Sequence, residues 1–312
     1  MSPADLLDIV IVNWNSRPQL TACLRSLSQS GLPKGASIVV VDNFLQNQIP
    51  EDISGTPPFT ILHPKKNLGF GAGCNLGAAQ GHAPFILFLN PDIIFPDGSL
   101  EKLITKLETG DLPDQVGIIG VQLLNFDGSI QKKIARFPLF KHLFPRMLGL
   151  DHLFPKTIKP HYRKDLDYSQ DQVVEQVPGA FFLVRRNVFE QLGGFDERFF
   201  LYYEDVDFSY RAHLAGWQTL YLADIAVYHL GGGTTQFIQG KRLFYSLRSK
   251  VMYVAKHFGR LKACLVILGV LLLEFPVRTI HSLFRFSFRD LKNNIYALGL
   301  FLVNIPQMVK KI

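Results

Sequence analysis

An α/β fold is predicted, a mostly parallel sheet flanked by helices with an amphipathic helical region behind it, and three features of the sequence carry that expectation. Short apolar runs rich in β-branched residues alternate with helix-period segments through the first half of the chain, as strands buried on both faces of a parallel sheet require. The three strongest runs stop at polar residues, Asn13, Asp42 and Asn90. The positive charge is concentrated behind residue 240: Lys241 to Ile312 carries 13 Lys and Arg against 2 acidic residues, a net of +11, which leaves −4 for residues 1–240. Two regions follow, an α/β domain over 1–240 and a helical, basic tail over 241–312.

The elements read in order. "DIVIVNWN" (Asp8 to Asn15) is a strand, and "SRPQLTACLRSLSQSG" repeats Leu20, Leu24 and Leu27 at helical spacing. "SIVVVDN" is a second strand, ended at Asp42 and Asn43. "FTILHP", a glycine-spaced helix "NLGFGAGCNLGAAQG" and the strong strand "APFILFLNPDI" continue the alternation. Ligands of open parallel sheets bind outside the carboxyl ends of the strands, where Asn13, Asp42 and the Asn90-Pro91-Asp92 turn fall. A helix over about Ser99 to Glu108, a strand "VGIIGVQLLN" and a "DGS" turn at Asp127 to Ser129 come next. Residues 137–170, rich in Phe, Pro, His and Lys without periodicity, read as a long loop or lid. "VVEQVPGAFFLVRRNVFEQLGGFDE" gives a strand, a helix start and a Gly-Gly turn, and the sheet resumes at "QTLYLADIAVYHLGGGTT".

At 312 residues, 47% hydrophobic and with a mean hydropathy of +0.14, the chain can bury a sizeable core, and its composition excludes disorder and admits a membrane contact. A basic, apolar tail behind a slightly acidic body suits an anionic membrane surface. It does not suit nucleic acid, which calls for basic residues interleaved through the folded body. Cys23, Cys74 and Cys264 are few, odd in number and widely spaced, against a disulfide framework or a cysteine zinc site and for a reducing compartment. "MSPADLLDIVIVNWN" lacks a basic n-region, so no secretory signal is expected. The tail's apolar runs, "ACLVILGVLLL" (Ala263 to Leu273) and "IYALGLFLVNI" (Ile295 to Ile305), are 11 residues each, short of the roughly 20 that span a bilayer. With Arg260, Lys262, Arg278, Arg285, Arg289 and Lys292 beside them they read as helices lying in the membrane interface. Core helices packed on the body, or a hairpin dipping into the bilayer, are the alternatives.

Four clusters bear chemistry. Asp42, at a strand end, can accept hydrogen bonds from a nucleobase or ribose, or simply form a turn. "NLGFGAGCNLG" has G-x-G-x-G spacing after the third strand, not G-x-G-x-x-G after the first, which disfavours a dinucleotide oxidoreductase. Its small residues either let a nucleotide lie close or pack the helix tightly on the sheet. In "FLNPDI", Pro91 cannot continue a central ladder and forces Asp92 out of it. A carboxylate so placed either forms a turn or holds a divalent cation, of which Mg²⁺ takes one or two protein carboxylates plus substrate phosphates. In "FLYYEDVDFSY", acids at a helix start favour its positive end, and Asp207 faces Arg211 at i, i+4. Glu204 and Asp205 are left for a site. His229, at a strand end before three glycines, is either structural or a ligand.

In this order, "IVIVNWNS", "VVVDN", "NLGFGAGCN", "FLNPD", "PGAFFLVRRNVFEQLGGFDERFFLYYEDVDFSYRAHLAGW" and "HLGGGTT" resemble the inverting family 2 nucleotide-sugar glycosyltransferases of GT-A fold, over roughly residues 8–235. The block from Pro178 to Trp217 is the most specific. Within the family the chain resembles bacterial rhamnosyltransferases of cell-wall and O-antigen lipopolysaccharide assembly. The resemblance implies that Asp42 recognises the nucleobase, with Asn13 and Asn15 near base and ribose and Asn67 and Asn90 completing the donor-nucleotide set. It implies that Asp92 binds Mg²⁺ or Mn²⁺ on the donor diphosphate, with His229 a further metal or diphosphate ligand. Asp205 would be the catalytic base, and Glu204, Tyr202 and Tyr203 would meet the acceptor. Phe200, Tyr202 and Tyr203 would also desolvate Asp205 and offer a face to a sugar ring.

The implied reaction follows physical needs: a carboxylate takes the proton of an acceptor hydroxyl attacking the anomeric carbon in line, and a cation steadies the departing diphosphate. The implied donor is a nucleotide-diphosphate sugar, dTDP-L-rhamnose, with UDP-galactose or UDP-N-acetylglucosamine as rivals. The acceptor is a polyprenyl-diphosphate-linked sugar, and the chain is expected peripherally at the cytoplasmic face of the inner membrane. A homodimer is allowed and nucleic acid is not a partner. A catalytically silent binding subunit is the reading from another class. Two departures stand out: "FLQN" after "VVVDN" places bulky Phe44 where the family has a small residue and lacks its later Asp, and Asn-Pro-Asp offers one carboxylate where relatives have two.

Overall fold

The computed structural model describes residues 5–46, 49–50, 52–154, 156–231 and 238–311. In chain order the elements are β1 (Leu7–Asn13), α1 (Arg17–Gln29), β2 (Ser37–Asp42), β3 (Thr60–Leu62), α2 (Phe70–Ala78), β4 (Phe85–Leu89), β5 (Ile93–Ile94), α3 (Ser99–Glu108) and β6 (Val116–Leu124). They continue with α4 (Phe140–Met147), α5 (Leu150–Leu153), β7 (Gln172–Val174), β8 (Phe181–Arg185), α6 (Arg186–Gln191), α7 (Glu204–Leu214) and β9 (Gln218–His229). The last are α8 (Gln239–Phe258), α9 (Arg260–Gly269), a π-helical turn Val270–Glu274, α10 (Phe275–Phe284) and α11 (Phe288–Lys311). The chain divides into two compact units, one of residues 1–135, 162–197 and 204–234, the other of 136–161, 198–203 and 235–312.

The first unit is built on one sheet of order β3-β2-β1-β4-β8-β6-β9-β5, with β7 also on β9. β3, β2, β1 and β4 run parallel, as the alternation of strands and helices predicts. β8 is antiparallel to both β4 and β6, so the sheet is mixed and not mostly parallel. The reason is simple: an apolar run such as "FFLVR" packs equally well in either direction, and direction is set by the connections. β6 therefore runs with β4, and β9 runs parallel to β6. In consequence the carboxyl ends of β1, β2, β4, β6 and β9 and the amino end of β8 share one edge.

Alternate residues of each strand feed two cores. Ile9, Ile11 and Leu87 pack with Leu20, Leu24 and Leu27 of α1 and Leu100 and Leu103 of α3. Val10, Val12, Ile86 and Phe88 pack with Cys74 of α2, Val188 and Phe189 of α6 and Phe208 of α7 on the other face. The glycines of α2 serve this packing: a Cβ on Gly77 would stand 2.4 Å from Val10 Cγ1, and one on Gly73 3.0 Å from Val12 Cγ1. Of the two readings of "NLGFGAGCNLG", tight helix–sheet packing is the one the structure has.

The second unit is helical. Residues 137–170, expected as a loop or lid, hold α4 and α5; Phe144 and Met147 of α4 close on Gly269, where a Cβ would come within 2.8 Å of Phe144. α9, the π turn and α10 form a single helix, Arg260–Phe284, of 25 residues, long and apolar enough by length and composition to cross a membrane. The 11-residue runs of the sequence thus understate the helix. It continues past Glu274 because that carboxylate is buried and paired with Lys250 Nζ at 2.6 Å and Arg278 Nη2 at 2.9 Å. Pro276 explains the π turn before it, since proline removes a donor and crowds the carbonyl four residues back.

Candidate active site

The edge that gathers the strand ends also gathers most of the residues expected to act. At the end of β1, Asn13 Nδ2 donates to Asp42 Oδ1 at 2.8 Å, and Ser16 Oγ donates to Asn13 Oδ1 at 2.6 Å. Asp42 also accepts from the backbone N–H of Phe44 at 3.2 Å and of Ile49 at 3.0 Å, with His63 Nδ1 3.8 Å away. Asn13 and Asp42 are buried, so Asp42 here holds the loop after β2. Its Oδ1 is filled by two donors, and Oδ2, with one, keeps a lone pair. Asn15 is exposed, in the left-handed region at φ 51°. Asn43 ties the end of β2 to the entry of α2, donating to Gly69 O at 2.9 Å and accepting from Leu68 N–H, while Asn67 accepts from Gly69 N–H at 2.9 Å. The half-buried Asn90 joins β4 to β8 through its N–H, which donates to Ala180 O at 2.9 Å.

The acids of α7 have distinct surroundings. Asp207 is fully buried and receives Arg211 Nε at 2.8 Å, as the i, i+4 spacing predicts, and Arg211 also donates to the carbonyls of Leu192 and Gly194. Asp205 is fixed by backbone: Gly179 N–H donates to Oδ2 at 2.9 Å and Val206 N–H to Oδ1 at 2.8 Å. Burial pushes its carboxyl above the ordinary range, against the pull of those N–H groups. Glu204 is buried beside Gly71 and Phe195, and its Oε2 has no hydrogen-bond partner among the described residues. Burial first, and the Asp205 charge second, push Glu204 well above the ordinary range. Burial, Glu204 and Asp205 also raise the thiol of Cys74.

Two expectations are corrected. Glu204, assigned to the acceptor, faces the protein interior. The rings expected around Asp205 pack instead on α8, Phe200 against Tyr245 at 4.8 Å and Tyr203 against Tyr253 at 5.4 Å, with Tyr202 accepting from Arg242 Nε at 2.8 Å. Tyr202 and Tyr203 are both left-handed, at φ 67° and 70°, a conformation costing on the order of 1–3 kcal/mol at each residue.

Asp92 is buried just before β5, and β5 pairs with β9 so that Ile93 stands opposite His229. That register brings His229 Nε2 to 3.6 Å from Asp92 Oδ1, and Nε2 is buried with no hydrogen-bond partner among the described residues. Burial holds the imidazole below its ordinary value despite the Asp92 charge. A carboxylate oxygen and a buried ring nitrogen facing one another suit a shared cation. Among the described residues no group of three or more His, Cys, Asp or Glu side chains could hold a metal, so the pair fits an ion that takes its other ligands from phosphate and water. Of the glycines after His229, Gly232 and Gly233 lie outside the described residues. Gly179 and Gln131, the latter hydrogen-bonded to His229, were not singled out from the sequence; their contacts reach 26 and 98 residues along the chain.

A mixed α/β sheet with a backbone-held carboxylate and an Asp–His pair along its carboxyl edge is consistent with a GT-A-like fold. The family profile of "Glycosyl transferase family 2" matches residues 8–193, and that of "Glycosyl transferase family group 2" matches residues 162–305. The chain belongs to glycosyl transferase family 2 and is a glycosyltransferase, as the sequence resemblance implied. Over 305 residues it is 29% identical to N-acetylglucosaminyl-diphospho-decaprenol L-rhamnosyltransferase of Mycobacterium tuberculosis, covering 92% of this chain and 97% of that protein. It is 29% identical over 198 residues to rhamnosyltransferase WbbL of Escherichia coli, covering 60% and 70%. Among solved structures, Staphylococcus aureus TarS 1–349 matches with a TM-score of 0.53 at 16% identity, over 97% of this chain and 82% of that one. GalNAc-T7 with UDP, GalNAc and Mn²⁺ matches with a TM-score of 0.54 at 15% identity, over 80% and 47%. These two likenesses establish the fold alone.

Proposed function

We propose that the protein is an inverting rhamnosyltransferase that moves L-rhamnose from dTDP-L-rhamnose to a hydroxyl of a polyprenyl-diphosphate-linked sugar. The observation that carries the chemistry is Asp205, whose two oxygens are each held by one backbone N–H and keep a further lone pair for an acceptor hydroxyl. The raised basicity that burial gives this carboxylate suits a general base. Asp205 takes the proton as the acceptor oxygen bonds to the anomeric carbon, and the bond from that carbon to the donor diphosphate breaks on the opposite face. No covalent enzyme intermediate forms, so the configuration inverts.

Asp92 and His229 are the residues that would hold Mg²⁺ or Mn²⁺ with the donor diphosphate. Such an ion, when bound, neutralises charge on the leaving group. Asn13, Asn15, Asp42, Asn67 and Asn90 are proposed to shape the nucleotide pocket, Asp42 by ordering the loop after β2. The donor sugar and lipid-borne acceptor are supported by the named activity of the mycobacterial relative, whose likeness runs through the helical region as well as the sheet. The helical region is proposed to lie peripherally on the cytoplasmic face of the inner membrane, within reach of such an acceptor.

A thermal-shift screen of dTDP-L-rhamnose, UDP-galactose and UDP-N-acetylglucosamine, each with and without Mn²⁺, tests the donor, because ligands that bind only the folded state raise its apparent stability. The largest shift is expected with dTDP-L-rhamnose; a larger shift with a UDP-hexose reassigns the donor. Asp205→Asn should keep the dTDP-L-rhamnose shift and lose about 10²–10⁴-fold in transfer rate. Full turnover in that variant refutes the base assignment.

A further inference from the structure

The "DGS" turn is marked by the sequence only as a turn, yet it starts a chain of side-chain hydrogen bonds that ends on His229. Asp127 Oδ1 accepts from Ser129 Oγ at 2.6 Å. The Ser129 hydroxyl, its proton committed to the carboxylate, accepts from Asn125 Nδ2 at 2.8 Å. Asn125 therefore turns its Oδ1 to Gln131, whose Nε2 donates to it at 2.9 Å and to the backbone carbonyl of His229 at 2.6 Å. Both of those partners only accept, so the amide of Gln131 has one orientation, and Oε1 is the atom 3.2 Å from His229 Nδ1. An amide oxygen in that place accepts a hydrogen bond from a ring N–H. Every link has a fixed direction because the chain begins on a carboxylate.

We infer that Gln131, oriented by the Asp127–Ser129–Asn125 relay, is a positioning residue that fixes His229 as the Nδ1–H tautomer and aims the Nε2 lone pair at Asp92. A ring nitrogen that is to bind a cation must be unprotonated, and the hydrogen bond made by the other nitrogen sets this. The turn that follows β6, from Asn125 to Gln131, is thus part of the machinery at the donor end. Its function rests on the reading of Asp92 and His229 as the metal-holding pair of the site; the tautomer itself does not.

The full chain, labelled with ¹⁵N-histidine, tests this by long-range ¹H–¹⁵N NMR at pH 8, with His229→Gln assigning the resonance and Mn²⁺ alone titrated by EPR. Wild type is expected as the Nδ1–H form and Gln131→Met as a mixture with Nε2–H. Gln131→Glu retains an acceptor and should restore the Nδ1–H form, whereas a structural role would not separate the two variants. Mn²⁺ affinity should fall about tenfold in Gln131→Met, the lower end of the range for lost outer-shell partners. An Nε2–H ring in wild type, or an unchanged ring in Gln131→Met, overturns the inference. The expected tautomers with Mn²⁺ affinity equal in wild type, Gln131→Met and His229→Gln support the inference and overturn the metal reading instead.

Discussion

Glu204 and Asp205 place two carboxyl groups side by side in the first turn of α7, where the helix dipole favours charge and burial opposes it. For both, burial wins and the folded-state value is raised. A raised carboxyl binds more proton in the folded state than in the unfolded chain. Stability is therefore present below the ordinary carboxylate range and is lost as pH rises toward the raised value. Glu204, the more deeply enclosed and with Oε2 unpartnered among the described residues, carries the larger cost. Glu204→Gln should accordingly raise stability at pH 8 by about 1–2 kcal/mol, the scale of other stabilising single changes. The gain should shrink toward pH 4, where the native group is already protonated. Urea denaturation at both pH values measures this, and a destabilised variant at pH 8 would show that the ionised form is held by a compensating partner. The Asp207–Arg211 pair was legible because i, i+4 is a local relation. Gly179 and Gln131 were not, because a backbone N–H and a lone amide acquire their roles only when distant segments meet. Asp205 was legible as an acid with no local partner, but the aromatic letters beside it pointed to the wrong neighbours, since residues 198–203 turn their rings to α8.

At the scale of elements, α2 decides how closely a helix can lie on β1. Replacing Gly77 by Ala would improve intrinsic helix propensity by up to about 1 kcal/mol, but the new Cβ would stand 2.4 Å from Val10 Cγ1 and 3.3 Å from Val41 Cγ2. Overpacking of this kind costs about 1–3 kcal/mol, and the branched Val10, fixed in a central strand, has little room to yield. Gly77→Ala should therefore destabilise, with a lower urea midpoint and an unchanged slope. Gly299 of α11 is the matching control, since a Cβ there meets nothing within 4 Å; Gly299→Ala should gain about 0.5–1 kcal/mol. Equal effects at both sites would contradict the packing role of α2. β1, β2, β3, β4, β6, β9, α1, α2, α3 and α7 were readable from period and end signals alone. The antiparallel β8 was not, because its apolar run carries no direction, and neither were α4 and α5, whose short amphipathic turns are interrupted by Pro145 and Gly149.

For the whole molecule the charge division and the exposed apolar surface make one case. Residues 1–240 carry −4 and residues 241–312 carry +11, and in the helical unit Phe284, Phe286 and Phe288, at the turn between α10 and α11, are 80%, 87% and 83% exposed. Leu272, Leu283, Ile295 and Val303 are exposed as well, with Arg285, Arg289 and Lys292 close in sequence. Arg260–Phe284 is long enough to cross a bilayer, with 25 residues at about 1.5 Å each. Yet Glu274 and Arg278 lie within it, and Glu274 is also tied to Lys250 of α8. Pulling that buried ion pair apart in a hydrocarbon interior costs several kcal/mol, whereas a helix lying in the interface keeps it intact and still buries the phenylalanines. The full chain should therefore sediment with vesicles rich in anionic lipid, bind neutral vesicles less, and come off in alkaline carbonate. Each buried Phe is worth about 1.5–3 kcal/mol, and each basic residue at an anionic surface about 1 kcal/mol. Phe284→Ser, Phe286→Ser and Phe288→Ser together should lower partitioning by at least 100-fold at any salt concentration. Arg285→Glu with Arg289→Glu should weaken it mainly at low salt, because the Debye length shortens as salt rises. Retention of the wild-type chain through carbonate would mean that Arg260–Phe284 spans the bilayer, with the Glu274 cluster rearranged to allow it.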